Sequence, residues 1–379
     1  MIENLDFKSI QPYEDHEIQE VFERLKNEKS FLNLVQFLYP NVPIEQFIEK
    51  LLSYNTVKDF QTEVIYPYVK QVLKTTSEGA TLTGIENLDA NESYLFVSNH
   101  RDIVLDSAIL NILLVENNRD TTEIAIGDNL LILPWITDLV KLNRSFIVNR
   151  NLPARQMLES SARLSAYIRY TLTQKKNSIW IAQREGRSKD GDDRTQVSLL
   201  KMINLSGTGA FGENFKPLKI VPVAISYELD PCDYLKAHEF QQKRDDTGYK
   251  KSQADDLKHM ATGLTGRKGR VHFALGTPID KELDQISLLG NKNDQLQALA
   301  ESIDDQIHKN YKLWPGNFVA CDMVYDNNNH KAFYTEDDKN KFLSYIDEHT
   351  KRVKGGDYDF IFRTLLEMYA NPVRNYLDQ

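Results

Sequence analysis

The stretch Tyr94-Leu95-Phe96-Val97-Ser98-Asn99-His100-Arg101-Asp102-Ile103-Val104-Leu105-Asp106 decides the fold of this chain. Tyr94 to Val97 is a short continuous apolar run, which fits a strand buried on both faces. A polar turn follows, and then a helical apolar pattern, Ala108 to Val115. Strand passing directly into helix is the unit from which layered α/β folds are built. His100 falls in the turn, at the mouth of the sheet, where ligands and catalysis are commonly found.

Working outward, further strand-like runs are Glu123 to Ile126, Ser145 to Val148, Ser178 to Ala182, Leu218 to Tyr227 and Arg270 to Leu275. Helical patterns alternate with them, notably Ala154 to Gln174 and Asp294 to Tyr311. The alternation predicts an α/β fold with a mixed, largely parallel sheet flanked by helices. Helical extensions are expected at both ends. Before the sheet, Ile18, Val21, Phe22 and Leu25 recur at helical steps, as do Phe31, Leu34, Val35 and Leu38, then Ile44, Phe47, Ile48, Leu51 and Leu52. A third pattern covers Val57 to Leu73. Beyond Trp314-Pro315-Gly316 the tail Phe342 to Leu377 is helical again, interrupted at Lys354-Gly355-Gly356. The expected division is an N-terminal helical cap at 1–78, an α/β domain at 79–312 and a C-terminal helical extension at 313–379.

Composition narrows the function classes. The formal net charge of −9 argues against a general nucleic-acid binder. Two cysteines, Cys232 and Cys321, have no metal-ligand spacing and imply a reducing compartment. The first residues lack the basic start and apolar run of a secretory signal. No apolar stretch reaches the roughly 20 residues of a spanning helix. The nearest, Leu130 to Val140, carries Pro134 and Asp138; it reads either as a core helix or, with Trp135, Lys141 and Arg144, as a segment touching a bilayer surface.

A neutral imidazole is a good general base near neutral pH, provided its other nitrogen is held, usually by a carboxylate. Asp102 and Asp106 both lie within local reach of His100. The other histidines, His16, His238, His259, His272, His308, His330 and His349, lack a paired acid in a motif.

Asn99-His100-Arg101 followed by Asp106 resembles the Asn-His-x-x-x-x-Asp block of the glycerolipid acyltransferases, which acylate glycerol-3-phosphate and 1-acylglycerol-3-phosphate. The family places four residues between His and Asp; here Leu105 occupies that acid's position and Asp106 comes one residue late. A one-residue bulge would absorb the offset. Asp106 is the favoured partner, Asp102 its competitor.

Three further blocks follow in the family's order. Leu142 to Arg150 resembles its basic strand; between Lys141 and Arg155 there are four basic residues and no acid. Glu185-Gly186-Arg187-Ser188 resembles Glu-Gly-x-Arg-Ser with one residue missing, and Arg184 stands where Pro is frequent. Ile220-Val221-Pro222-Val223 resembles the apolar strand with Pro near its start, and Arg270 to Ile279 the closing strand.

The resemblance implies an acyltransferase in phospholipid biosynthesis; the alternatives are an O-acyltransferase for a different lipid acceptor and a catalytically inactive lipid-binding protein of the same fold. His100 would take a proton from an acceptor hydroxyl as it attacks an acyl thioester, with Asp106 or Asp102 steadying the imidazolium. Backbone N–H groups near His100 are the expected oxyanion donors. Arg101, Arg144, Arg150, Arg184, Glu185, Gly186, Arg187, Ser188 and Pro222 would line the substrate site, the arginines gripping phosphate. The implied partners are acyl-CoA or acyl carrier protein as co-substrate, a lysophospholipid or glycerol-phosphate acceptor, and a membrane surface, with no other cofactor and no metal. The implied location is cytoplasmic, peripheral to the inner face of the membrane.

Overall fold

The computed structural model describes residues 6–150 and 152–377, so the outermost residues of both expected extensions, 1–5 and 378–379, lie outside it. Seven strands form one sheet: β1 (Ser77–Thr83), β2 (Leu95–Ser98), β3 (Glu123–Gly127), β4 (Ser145–Val148), β5 (Ile179–Ala182), β6 (Ile220–Tyr227) and β7 (Gly269–Leu275). Their spatial order is β1-β7-β6-β2-β5-β3-β4. Every neighbouring pair is parallel except β6 and β7, so the sheet is mixed and largely parallel.

The continuous apolar runs are explained by burial of both faces. Leu95, Val97, Ile179, Ile181 and Ile220 point into one core, shared with Leu164 and Ile168 of the helix Ala154–Tyr170 and with Leu299 and Ile303 of the helix Lys292–Lys309. Phe96, Trp180, Val221 and Val223 point into a second core against Leu105, Ile109 and Ile112 of the helix Leu105–Glu116. Pro222 fits inside the central strand because it precedes the ladder between β6 and β7, which begins at Val223 opposite Leu275. It is a core residue, paired in register with Val97.

Several segments differ from the sequence expectation. β1 went unpredicted: it is polar, lies at the sheet edge and contains Gly79 at φ +104°. After β6 the chain forms two helices that sequence patterning did not predict, Asp233–Asp245 and Gln253–Thr265. The predicted helix over Val57 to Leu73 is present and runs from Val57 to Thr76, with a π-helical stretch at Gln61–Ile65.

The helix Pro134–Leu142 packs one face on the N-terminal helices, while Leu133 at its start stays exposed. Leu142 is fully buried among Ile18, Phe22, Leu25 and Phe60 of the N-terminal helices, and Trp135 meets Phe31 at 6.2 Å between ring centroids. No helix among the described residues is long and apolar enough to cross a membrane.

Candidate active site

β2 delivers Asn99 and His100 to the carboxyl end of the sheet. Asn99 is fully buried and knits the turn to β6: its Nδ2 donates to the Ile225 carbonyl at 2.9 Å, and the Ile225 amide donates to its Oδ1 at 2.7 Å. His100 Nδ1 lies 2.8 Å from Asp106 Oδ2. Asp106 is completely buried, and the same oxygen accepts the amides of Arg101 (2.6 Å) and Asp102 (3.1 Å). A carboxylate that accepts from Nδ1–H leaves Nε2 as the basic nitrogen. The imidazole side chain keeps 13% of its surface exposed, with the Trp180 ring edge-on at 5.5 Å.

Of the two carboxylates the sequence left open, Asp106 is the one brought to His100. Asp102 turns away: its Oδ1 accepts the amides of Val104 (2.9 Å) and Leu105 (2.8 Å), capping the helix that carries Asp106. Burial, reinforced by the Asp106 charge, pushes the Asp102 pKa up. The longer His-Asp spacing is thus absorbed by a turn whose amides converge on two carboxylates. The amides of residues 101, 102, 104 and 105 are engaged in this way.

The arginines divide into two sets. Arg101 and Arg187 point inward. Arg101 Nη2 pairs with Asp193 Oδ2 at 2.6 Å, and Asp193 also accepts from Asn99 and Tyr311. Arg187 is buried with Nη2 2.7 Å from His259 Nδ1. Burial and the neighbouring Arg187 drive the His259 pKa down to about 2, so this imidazole is neutral and accepts. Arg150 and Arg184 face a cleft of about 440 Å³ at the carboxyl ends of β3, β4 and β5, walled by Val148, Met157, Leu164, Leu199 and Met202. Arg150 lies across Gly127, where a Cβ would sit 2.6 Å from its Nε, and pairs with Glu185 at 3.4 Å.

Register places the Arg184 block beside His100. Ser98 of β2 pairs with Ala182 of β5, so His100 and Arg184 leave adjacent strands at the same level. Gly186, at φ +73°, turns the chain back, and the Ser188 amide donates to the His100 carbonyl at 2.8 Å. Arg144 does not join this group. It precedes β4 at the opposite end of the sheet, where its Nη1 bonds Thr121 O (3.0 Å) and Oγ1 (3.1 Å). Pro222 is likewise in the core.

Sequence reasoning missed Asp193, Tyr227, Lys236 and His259. Burial, then the charges of Asp106 and Asp102, push the Tyr227 hydroxyl well above its ordinary range. The acidic run Asp190-Gly191-Asp192-Asp193 was visible, yet nothing local tied it to Arg101. Two histidines read as lacking an acid have one in space: His330 pairs with Asp322 at 2.7 Å and His349 with Asp233 at 2.5 Å, both within the C-terminal helices or at their contact with the body.

A buried carboxylate, a histidine held through one nitrogen and a cleft with two arginines thus meet at the carboxyl end of a largely parallel sheet. Residues 79–226, which hold His100, Asp106 and the Glu-Gly-Arg-Ser block, match the acyltransferase family model, and this part of the chain is an acyltransferase domain. Among solved structures the chain is similar to the 1-acyl-sn-glycerophosphate (LPA) acyltransferase PlsC from Thermotoga maritima, with 12% identity and a TM-score of 0.38 over 76% of this chain and 92% of that one. No curated protein matches the chain.

Proposed function

We propose that this acyltransferase moves a fatty acyl group from an acyl thioester, carried by CoA or acyl carrier protein, to the hydroxyl of a glycerol-phosphate acceptor. The observation that carries the reading is the His100–Asp106 pair within the acyltransferase domain. The acceptor hydroxyl gives its proton to His100 Nε2 as its oxygen attacks the thioester carbonyl. The C–S bond breaks, and the imidazolium returns the proton to the leaving thiolate. Asp106 holds the ring and balances its charge while it is protonated. Arg150 and Arg184 offer guanidinium forks to the acceptor's phosphate, and the apolar wall of their cleft suits an acyl chain. A membrane surface, reached peripherally from the cytoplasmic side, is the proposed source of acceptor.

A second reading keeps the chemistry and changes the acceptor to another lipid hydroxyl. It is favoured by the engagement of Arg101 with Asp193, Arg187 with His259 and Arg144 with Thr121, which leaves fewer cations for phosphate than the sequence promised.

The deciding experiment supplies purified protein with labelled acyl-CoA or acyl carrier protein and a panel of acceptors: glycerol-3-phosphate, 1-acylglycerol-3-phosphate and phosphate-free lipids. Transfer to a phosphorylated acceptor, lost by about 10²-fold or more in His100→Ala and Asp106→Asn, is the expected result. Asp102→Asn should lose less, since its oxygen can still cap the helix. Preference for a phosphate-free acceptor would install the second reading, and no transfer from either donor would overturn both.

A further inference from the structure

We propose that Lys236 is a positioning residue for the His100–Asp106 pair, acting through the peptide bond between Arg101 and Asp102. Lys236 lies on the helix Asp233–Asp245, beyond the segment that matches the acyltransferase family. It is 1% exposed, an unusual setting for an ammonium group. Its Nζ makes two contacts. One is Asp230 Oδ2 at 2.5 Å; the other is the carbonyl oxygen of Arg101 at 3.1 Å.

The pair with Asp230 accounts for neutrality. Burial would raise the Asp230 pKa; Lys236, then the Cys232 amide and Arg187, bring it below its ordinary value. The second contact is what reaches the site. The carbonyl that Lys236 binds belongs to the same peptide unit as the Asp102 amide, and that amide donates to Asp106 Oδ2 at 3.1 Å. A cation on a carbonyl polarises the whole amide and strengthens its N–H as a donor. Lys236 therefore acts on Asp106, and through Asp106 on His100 Nδ1, without touching either. It also pins the turn that absorbs the extra residue between His100 and Asp106. The Arg101 side chain is anchored separately, by Asp193, so both ends of residue 101 are fixed from outside the turn.

Asp230 is itself held. Its Oδ1 accepts the Cys232 amide at 2.8 Å, and its own amide donates to the Tyr369 hydroxyl at 2.9 Å. The position of Lys236 is thus set by the C-terminal helices as well as by its own.

The kinetic arm of the test rests on the acyl-transfer reading; a spectroscopic arm does not. Lys236→Met leaves the largely buried Asp230 without its ammonium partner and is expected to be unstable. The double variant Asp230→Asn/Lys236→Met removes both charges, a change that buried pairs tolerate. For the double variant, a melting temperature close to wild type is expected, with kcat reduced about tenfold and acceptor KM within about twofold. In 1H–15N spectra of the full chain, the Asp102 amide proton should move to higher field and exchange faster. Wild-type kcat in the folded double variant would overturn the proposal, because Lys236 would then serve only to neutralise Asp230. A raised KM at unchanged kcat would overturn it too. Should the double variant not fold, the Asp102 amide in Asp230→Asn, which keeps the Lys236 contact with Arg101, is expected to stay put; a loss of that signal's low-field position there would count against the proposal. If wild type transfers nothing to any acceptor, the functional reading falls alone, and an unmoved Asp102 amide in the double variant is what would overturn Lys236.

Discussion

At the scale of residues, His100 was legible because Asn99-His100-Arg101 follows a buried strand and precedes a basic strand, Glu185-Gly186-Arg187-Ser188 and a Pro-bearing strand in the order of a known family. Its acid was favoured as Asp106 with Asp102 left as competitor; hydrogen-bond geometry separates the cap from the partner. Lys236 and His259 were illegible: their contacts, with Arg101 and Arg187, span more than seventy residues and leave no local pattern. Asp304 is a similar case with a consequence for stability. It is buried and accepts the Thr195 amide at 2.8 Å and hydroxyl at 2.6 Å. Burial raises its pKa to about 7 against the pull of those bonds. The folded state therefore holds this proton in a window, from about pH 4 to 7, where the unfolded chain has released it. Its contribution to stability is full below that window and is lost as pH rises through 7. Asp304→Asn keeps an oxygen for Thr195 and cannot ionise. Urea melts should show it more stable than wild type by ~1–3 kcal/mol at pH 8 and equal near pH 4. An equal gain at both pH values would show that the carboxylate's charge is not the cause.

At the scale of elements, the strands that sequence found are those buried on both faces, where apolar residues run without interruption. β1 and the two helices after β6 escaped because their residues are polar. The second of these helices did carry a signal: Ser252 and Asp255 form a reciprocal capping box at its start. The end of β3 offers a test of the basic cleft. A methyl at Gly127 would lie 2.6 Å from Arg150 Nε and 2.5 Å from Asn129 Oδ1, both on side chains that can move. Gly127→Ala should therefore keep the fold to within ~1–2 kcal/mol and displace the guanidinium. Acceptor KM should rise about fivefold for a phosphorylated acceptor at nearly constant kcat, and stay level for a neutral one. A rise for both acceptors would remove Arg150 from phosphate recognition.

At the scale of the molecule, the layered body was legible from alternating patterns, and so was the existence of helices at both ends. The work of the C-terminal helices was not, since it consists of contacts between distant segments. The Asn371 side chain donates to the Asp190 carbonyl at 2.7 Å, and Gly191 meets the carbonyl of Met368 where a Cβ would lie 2.3 Å away. Gly191 also holds φ +75°, a conformation that side chains resist. Gly191→Ala is expected to cost ~2–4 kcal/mol, lower the melting temperature by several degrees and reduce kcat, because the same loop carries Ser188 and Asp193 to the His100 turn. An intact melting temperature would disconnect this contact from the fold. The fastening of residues 190 and 230 by Tyr369 and Asn371 also imposes an order in time. A ribosome makes the His100 turn long before it makes residue 369, so His100 emerges while its surroundings are still unfinished. Acquisition of activity during translation should therefore wait for the last helix to emerge and dock, rather than follow the appearance of the motif.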